Sequence, residues 1–322
     1  MNAIPVTILT GFLGAGKTTL LNHILTETHN LKIAVIVNDF GSINIDAGLI
    51  KSEESSVMTL ENGCICCSLA EGLVVAVMRI LAIKGEDRPD HIVIETSGVS
   101  EPYDIAKKFS EEDFKDSAPL NAIVTTIDAE NVMKLDGAMA DLAVHQVECG
   151  DIVLVNKVDL VTKTKLDQVL HWCREHSPLS KLINVQYGAV ELPILFDVEE
   201  IGKRSHLHDA AKPDSEKSSS KNLKHQFETF SYETQMPISL ERIYPLLERI
   251  SIDIYRMKGI LNLIERPDRQ CIFQCTGQRA TVTVGDEWLM DSDKKSQLVF
   301  IAPSGKVDFD KLANAIDNLV NQ

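Results

Sequence analysis

Close to its start the chain passes from an apolar, β-rich run, Val6-Thr7-Ile8-Leu9-Thr10, into Gly11-Phe12-Leu13-Gly14-Ala15-Gly16-Lys17-Thr18-Thr19. The spacing is Gly-x-x-x-x-Gly-Lys-Thr, and Leu20, Leu21, Ile24 and Leu25 then recur at a helical interval. Strand, glycine loop and amphipathic helix, in that order, form the setting in which backbone wraps a phosphate chain. Gly11, Gly14 and Gly16 remove side chains that would hold the backbone away from a triphosphate. The N–H groups of the loop, those of Ala15 and Thr19 among them, then make an anion nest at the positive end of a helix. Lys17 is expected to reach the β and γ phosphates, and the Thr18 hydroxyl to hold Mg²⁺. The pattern predicts a nucleoside triphosphate site on an α/β scaffold.

At 322 residues the chain is long enough for two domains, and an apolar content of 44% supports a real core. A formal net charge of −15 argues against nucleic acid, since little here would neutralise a run of phosphates. It also disfavours anionic membranes and suits cations or a basic partner. The first apolar run is short and ends in the glycine loop, so no signal peptide is expected. No run approaches the ~20 apolar residues that cross a bilayer. A cytoplasmic location is the expectation, and seven cysteines there are core residues, metal ligands or redox groups rather than a disulfide framework.

Residues 1–202 read as alternating strands and helices. The expected strands are Val6–Thr10, Ile33–Asn38, Val57–Leu60, Ile92–Thr96, Ala122–Asp128, Ile152–Asn156 and Leu182–Val185; the expected helices include Ser68–Ile83, Glu130–Glu148 and Lys163–Glu175. Continuous β-branched runs predict strands buried on both faces, hence a doubly wound, mostly parallel sheet. Residues 203–226 carry Lys203-Arg204-Ser205-His206-Leu207-His208 and a serine run, and read as a flexible polar linker. Residues 227–322 read as a second, smaller α+β domain. Its strands are expected at Phe227–Tyr232, Gly259–Ile264, Cys271–Cys275, Ala280–Val284 and Gln297–Ala302, with a helix at Ser239–Ile250. Phe309, Leu312, Ala313, Ile316, Leu319 and Val320 form one stripe of a last helix.

Three further motifs carry chemistry. Asn156-Lys157-Val158-Asp159 ends a strand well downstream of the glycine loop. The Asp159 carboxylate can accept from the N1–H and N2–H₂ edge of guanine, a donor pair adenine lacks, with Asn156 and the Lys157 stem completing the pocket. In Ile92-Val93-Ile94-Glu95-Thr96-Ser97-Gly98 an apolar strand ends in an acid that can reach the Mg²⁺ shell, and the Gly98 N–H can sense a γ phosphate. A contact present only before hydrolysis makes the following segment a switch. Glu61-Asn62-Gly63-Cys64-Ile65-Cys66-Cys67 puts three thiols before a helix, where thiolate is favoured. Soft thiolates select Zn²⁺, Cu⁺ or similar ions, and tetrahedral Zn²⁺ needs a further ligand; small buried residues or a redox dithiol are the other readings. Cys271 and Cys275 flank Phe273 at even spacing and read as core, while Cys149 and Cys173 read as structural.

Taken together, the glycine loop, Asn38-Asp39-Phe40-Gly41 with Asp46, Gly63-Cys64-Ile65-Cys66-Cys67, Glu95-Thr96-Ser97-Gly98 and Asn156-Lys157-Val158-Asp159 resemble the CobW-type metallochaperone GTPases, SIMIBI-class P-loop proteins. Arg256-Met257-Lys258-Gly259-Ile260-Leu261, Phe273-Gln274 and Leu298-Val299-Phe300-Ile301 are similar to the CobW C-terminal domain. The resemblance implies a metal-regulated GTPase that carries Zn²⁺, or in some members cobalt, to client metalloproteins. It also implies homodimerisation through nucleotide, a common property of the class. Two departures stand out: the family's Asn-Glu-Phe-Gly-Glu is here Asn38-Asp39-Phe40-Gly41-Ser42, and the histidine-rich linker is reduced to His206, His208 and His225. That linker reads as a solvated tether or, at most, a weak loading site.

The expected hydrolytic residues are Lys17, Thr18, Asp39 and Glu95, acting by positioning and charge stabilisation. Asp39 and Asp46 are equal candidates for orienting water or serving Mg²⁺. The competing reading is a regulatory GTP-binding adaptor for metalloenzyme or cobalamin-related maturation, with structural or redox thiols. An ATP-dependent kinase is disfavoured by Asn156–Asp159.

Overall fold

The computed structural model describes residues 3–27, 31–37, 57–59, 69–196, 227–251, 253–277, 279–288 and 294–320. The chain divides into two compact units, Met1–Lys203 and Arg204–Gln322.

In the first unit the order is β1 (Val6–Thr10), α1 (Lys17–Thr26), β2 (Ile33–Val37), β3 (Val57–Thr59), α2 (Leu69–Ala82), β4 (His91–Glu95), α3 (Pro102–Lys108), β5 (Leu120–Asp128), α4 (Gly137–Glu148), β6 (Ile152–Asn156), α5 (Lys163–His176), β7 (Lys181–Asn184) and the short α6 (Leu192–Leu195). The seven strands form one sheet, ordered β3-β2-β4-β1-β5-β6-β7, and every pairing is parallel. β1, β2, β4 and β6 are buried at every position. Strands shielded on both faces need helices on both, and their unbroken apolar runs follow from that.

The register shows how one face is filled. Val6 and Ile8 lie beside Ile92 and Ile94, which lie beside Ala34 and Ile36. This row packs with Leu73, Val77 and Ile80 of α2 and Ile105 and Ala106 of α3. Farther along the sheet, Val153 and Val155 pack with Ala143 and Val147 of α4 and Val169 and Cys173 of α5. A buried aliphatic side chain contributes roughly 1.5–3 kcal/mol, so these rows pin the register. In a parallel sheet all carboxyl ends share one edge. The chain winds outward to one side of β1 through β2 and β3, then to the other through β5, β6 and β7. The crevice at such a reversal is where ligands bind in open α/β sheets.

Two local differences from the sequence reading have physical causes. The stretch expected as one helix over Glu130–Glu148 is a 3-10 turn at Val132–Lys134 followed by α4, with Leu135 and Asp136 extended between them. Asp128 ends β5 by accepting the N–H groups of Glu130 and Asn131, a turn that competes with helix initiation. Helix α3 was not among the expected helices; it has proline at its start, where the missing N–H is harmless, and buries Ile105 and Ala106.

The second unit contains β8 (Phe227–Thr234), α7 (Leu240–Ile250), β9 (Arg256–Leu261), β10 (Arg269–Thr276), β11 (Arg279–Glu287), β12 (Ser296–Pro303) and α8 (Phe309–Val320). Its five-stranded antiparallel sheet has the order β11-β10-β9-β12-β8. The strand expected at Gly259–Ile264 begins earlier, because Arg256 pairs with both Thr276 and Ile301. Leu263 leaves the strand for an isolated bridge with Ile238. Met257, Phe273 and Phe300 form one core with Leu246 and Leu247 of α7 and Leu312 and Ile316 of α8. Cys271 and Cys275 are buried on that same side. Burial pushes the Cys271 thiol up, and in the first unit pushes Cys173 up to about 12, so both stay protonated at neutral pH. Among the described residues no helix is long and apolar enough to cross a membrane.

Candidate functional site

The glycine loop joins β1 to α1 at the carboxyl edge of the sheet. Gly16 sits at the helix N-terminus in a left-handed conformation, φ 104°. A Cβ there would fall 2.2 Å from Asn156 Nδ2. Asn156 explains the tightness: its Nδ2 donates to the Ala15 carbonyl at 2.9 Å, and its Oδ1 accepts from Gly188 N at 3.2 Å. One buried amide thus ties the loop to the end of β6 and to the segment after β7. Ala15 is buried and Thr19 exposed; Gly11 and Gly14 also have positive φ, 135° and 72°.

Lys17 is buried. Its ammonium donates to the Gly11 carbonyl at 2.9 Å and the Phe12 carbonyl at 3.3 Å, inside the loop it belongs to. Thr18 Oγ1 donates to Glu95 Oε1 at 2.8 Å, so the residue after the lysine meets the acid ending β4 across 77 positions of sequence. Glu95 is itself buried. At the next residue, Thr96 Oγ1 donates to Thr10 Oγ1 at 3.0 Å, which holds the ends of β4 and β1 together. Gly98 packs on the glycine loop: a Cβ there would fall 2.7 Å from Leu13 N and 2.6 Å from its Cδ2.

At the other side of the crevice Lys157 has left-handed backbone, φ 61°, uncommon for a residue with a side chain. The bend turns its ammonium onto Asp128 Oδ2 at 2.8 Å. Burial alone raises the Asp128 carboxyl, but hydrogen bonds from Lys157 and Asn131, the lysine charge and the Glu130 N–H outweigh it and hold it below the usual carboxylate range. Asp159 follows in an exposed 3-10 turn, Val158–Leu160.

The structure therefore brings Gly11–Thr19, Glu95, Gly98, Asn156, Lys157 and Asp159 to one edge of one sheet. Asp39, Asp46, Cys64, Cys66, Cys67, His206, His208 and His225 lie outside the described residues. Among the described residues no three His, Cys, Asp or Glu side chains gather as an ion site. Asp128 was not singled out from sequence, although it carries the signal used for Glu95: an acid closing an apolar strand. Gly188 gave no signal, because its role depends on where Asn156 points.

Comparison with known proteins agrees with this geometry. Residues 5–184 match the family model described as CobW/HypB/UreG, nucleotide-binding domain, and residues 227–320 match the cobalamin synthesis protein cobW C-terminal domain. The zinc chaperone YjiA of Escherichia coli (strain K12) is 32% identical over 318 residues, covering 94% of each chain. The zinc-regulated GTPase metalloprotein activator 1 of Dictyostelium discoideum is 30% identical over 337 residues, 89% of this chain and 69% of the relative. The zinc chaperone CobW of Pseudomonas aeruginosa is 29% identical over 334 residues, 92% and 87% respectively. With the nucleotide-binding model spanning over half its length and the C-terminal model following, this chain belongs to the CobW/HypB/UreG family.

Proposed function

We propose that this protein is a GTPase that couples hydrolysis of GTP to delivery of a transition-metal ion, zinc foremost, to client metalloproteins. The observation that carries the reading is the convergence of the glycine loop, the Thr18–Glu95 pair and the Asn156–Asp159 strand end on one sheet edge. It is joined by the family membership and by relatives named as zinc chaperones and a zinc-regulated GTPase.

In this reading the loop N–H groups and Lys17 bind the phosphates. Two of the lysine's partners are neutral carbonyls, and an anionic phosphate oxygen competes well against those because charge-assisted bonds are stronger. The Thr18 hydroxyl and Glu95 carboxylate are adjacent hard oxygen donors, the type Mg²⁺ takes. Bound there, Mg²⁺ supplies neutralisation of phosphate charge. Asp159 selects guanine through its N1–H and N2–H₂ donors, and Lys157, fixed by Asp128, lines the base pocket. Water attacks the γ phosphorus, the bond to the β–γ bridging oxygen breaks, and GDP and phosphate leave.

The metal is cargo, and Cys64, Cys66 and Cys67 are its proposed thiolate ligands. β3 lies beside β2, which lies beside β4, with Val37 level with both Thr59 and Glu95. The chain that runs on from β3 into the cysteine segment thus leaves the sheet at the edge that holds Glu95. Asp39, two positions beyond the last residue of β2, is assigned to Mg²⁺ or the attacking water. Residues 203–226 act as a tether, and the second unit recognises the client. Nucleotide closes this face against a second copy, an arrangement that exposed Leu13, Val99 and Tyr103 favour.

Zn²⁺ affinity measured with GDP and with a non-hydrolysable GTP analogue tests the coupling. A difference of about 5-fold or more is expected, and it should vanish with stoichiometric Zn²⁺ in Cys66→Ser. Equal affinities in both nucleotide states would leave a plain guanine-nucleotide hydrolase.

A further inference from the structure

Six buried side-chain atoms among the described residues have no hydrogen-bond partner there, and two of them, Gln146 Oε1 and Ser100 Oγ, belong to residues already bonded to each other. Gln146 is 1% exposed on the inner face of α4. Its backbone carbonyl accepts from Thr125 Oγ1 at 2.7 Å, which anchors it to β5. Its side chain reaches the turn after β4, where Nε2 donates to the Gly98 carbonyl at 3.3 Å and the Ser100 carbonyl at 3.2 Å. Two carbonyls on one side leave no choice of amide orientation, so Oε1 faces away from them. Ser100 is 8% exposed and its hydroxyl is equally unsatisfied.

A buried amide oxygen and a buried hydroxyl, each lacking a partner in the arrangement seen, are a matched acceptor and donor. Leaving both unmet is costly. The turn that carries the hydroxyl is the one that packs on the glycine loop through Gly98 and Leu13. Within the turn, Ser100 N donates to the Ser97 carbonyl at 3.1 Å and Val99 N to Ser97 Oγ at 3.3 Å, so it is closed by its own hydrogen bonds. Gln146 also lines, with Phe12, Leu13 and Ala143, a small hollow beneath the loop.

We propose that Gln146 is a positioning residue that latches the Gly98–Ser100 turn in two alternative arrangements. In one, that seen here, Nε2 holds the two carbonyls. In the other, Ser100 Oγ–H donates to Gln146 Oε1. The latch makes the turn bistable, so that occupancy of the phosphate loop selects between two positions of Gly98. The inference rests on the GTPase reading above for the identity of the ligand that does the selecting.

The experiment measures GDP and non-hydrolysable GTP-analogue affinities in the full chain for wild type, Ser100→Ala, Gln146→Met and the double variant, together with melting temperatures and amide hydrogen exchange over residues 97–101. Ser100→Ala is expected to shift the ratio of the two affinities about 5-fold in the wild-type background and to leave it unchanged in the Gln146→Met background, because the hydroxyl's partner in the second arrangement is then gone. Gln146→Met is expected to speed exchange in the turn. An equal Ser100→Ala effect in both backgrounds overturns the latch, as does a change in melting temperature with no change in the ratio. If the wild type binds neither nucleotide, the proposed function fails; the latch is then decided by exchange alone, and unaltered exchange in Gln146→Met overturns it.

Discussion

The two sheets of this protein solve the same packing problem in opposite ways. The parallel sheet is dry on both faces at its centre, where β1, β2, β4 and β6 are buried at every position. The antiparallel sheet alternates: β10 runs intermediate and buried in turn, with Cys271, Phe273 and Cys275 inward. In the parallel sheet every strand ends at the same edge, so Thr10, Glu95, Asp128 and Asn156 arrive together. In the antiparallel sheet successive ends alternate between edges, and the polar residues that close its strands are dispersed. Chemistry gathers where topology sends chain ends, and the first unit therefore carries the candidate site while the second presents amphipathic helices α7 and α8 over one core.

This contrast can be broken at several points. The largest effect is expected from Phe273→Ala, which empties the centre of the second unit's core and should cost about 3–5 kcal/mol. Calorimetry should show that transition moving alone, with nucleotide affinity kept; loss of nucleotide binding would mean the units are not separable. Lys17→Ala comes next. Removing one preorganised charge from phosphoryl transfer typically lowers the rate about 10²–10³-fold, read as steady-state phosphate release, with the fold's melting little changed.

A smaller effect is expected from Asn156→Ala. It leaves the Ala15 carbonyl and Gly188 N–H without their partner, about 1–3 kcal/mol, and should weaken GDP and GTP binding alike, as titration calorimetry would show. Asp128 supplies the pH dependence. Its carboxyl is held low in the folded state, so the stability it contributes is present above the ordinary carboxylate value near ~3.9 and is lost as pH falls through the lower folded value. Asp128→Asn should flatten acid unfolding below about pH 4, and an unchanged acid limb would remove the Lys157 pair from the account. The smallest effect belongs to the surface pair Lys108–Glu111, 3.0 Å apart and well solvated: Lys108→Ala should change stability by less than ~1 kcal/mol in denaturant unfolding.

Much of this was readable before any coordinates. The seven strands of the first unit appear as short β-branched runs, because a strand buried on both faces tolerates little else. The glycine loop is legible because its residues are consecutive and leave a contiguous record. Asn156–Asp159 and Glu95 are legible because each closes such a run. What stayed hidden shares a different property. Gln146 is an ordinary polar residue in a helix that the sequence reading drew as one piece with its approach. Its meaning comes from reaching Gly98 and Ser100, 48 and 46 residues away.

The sequence by itself determined the kinds of groups available: a Gly-x-x-x-x-Gly-Lys-Thr loop, an acid closing an apolar strand, an Asn-Lys-Val-Asp strand end and three clustered thiols. Local composition is enough for that, since each motif acts through neighbours on the chain. Only the tertiary structure decided which of them meet. Thr18 reaches Glu95 across 77 positions, and Asn156 reaches Ala15 across 141, because one parallel sheet delivers both strand ends to a single edge. No spacing in the sequence encodes those distances; the order of strands in the sheet does.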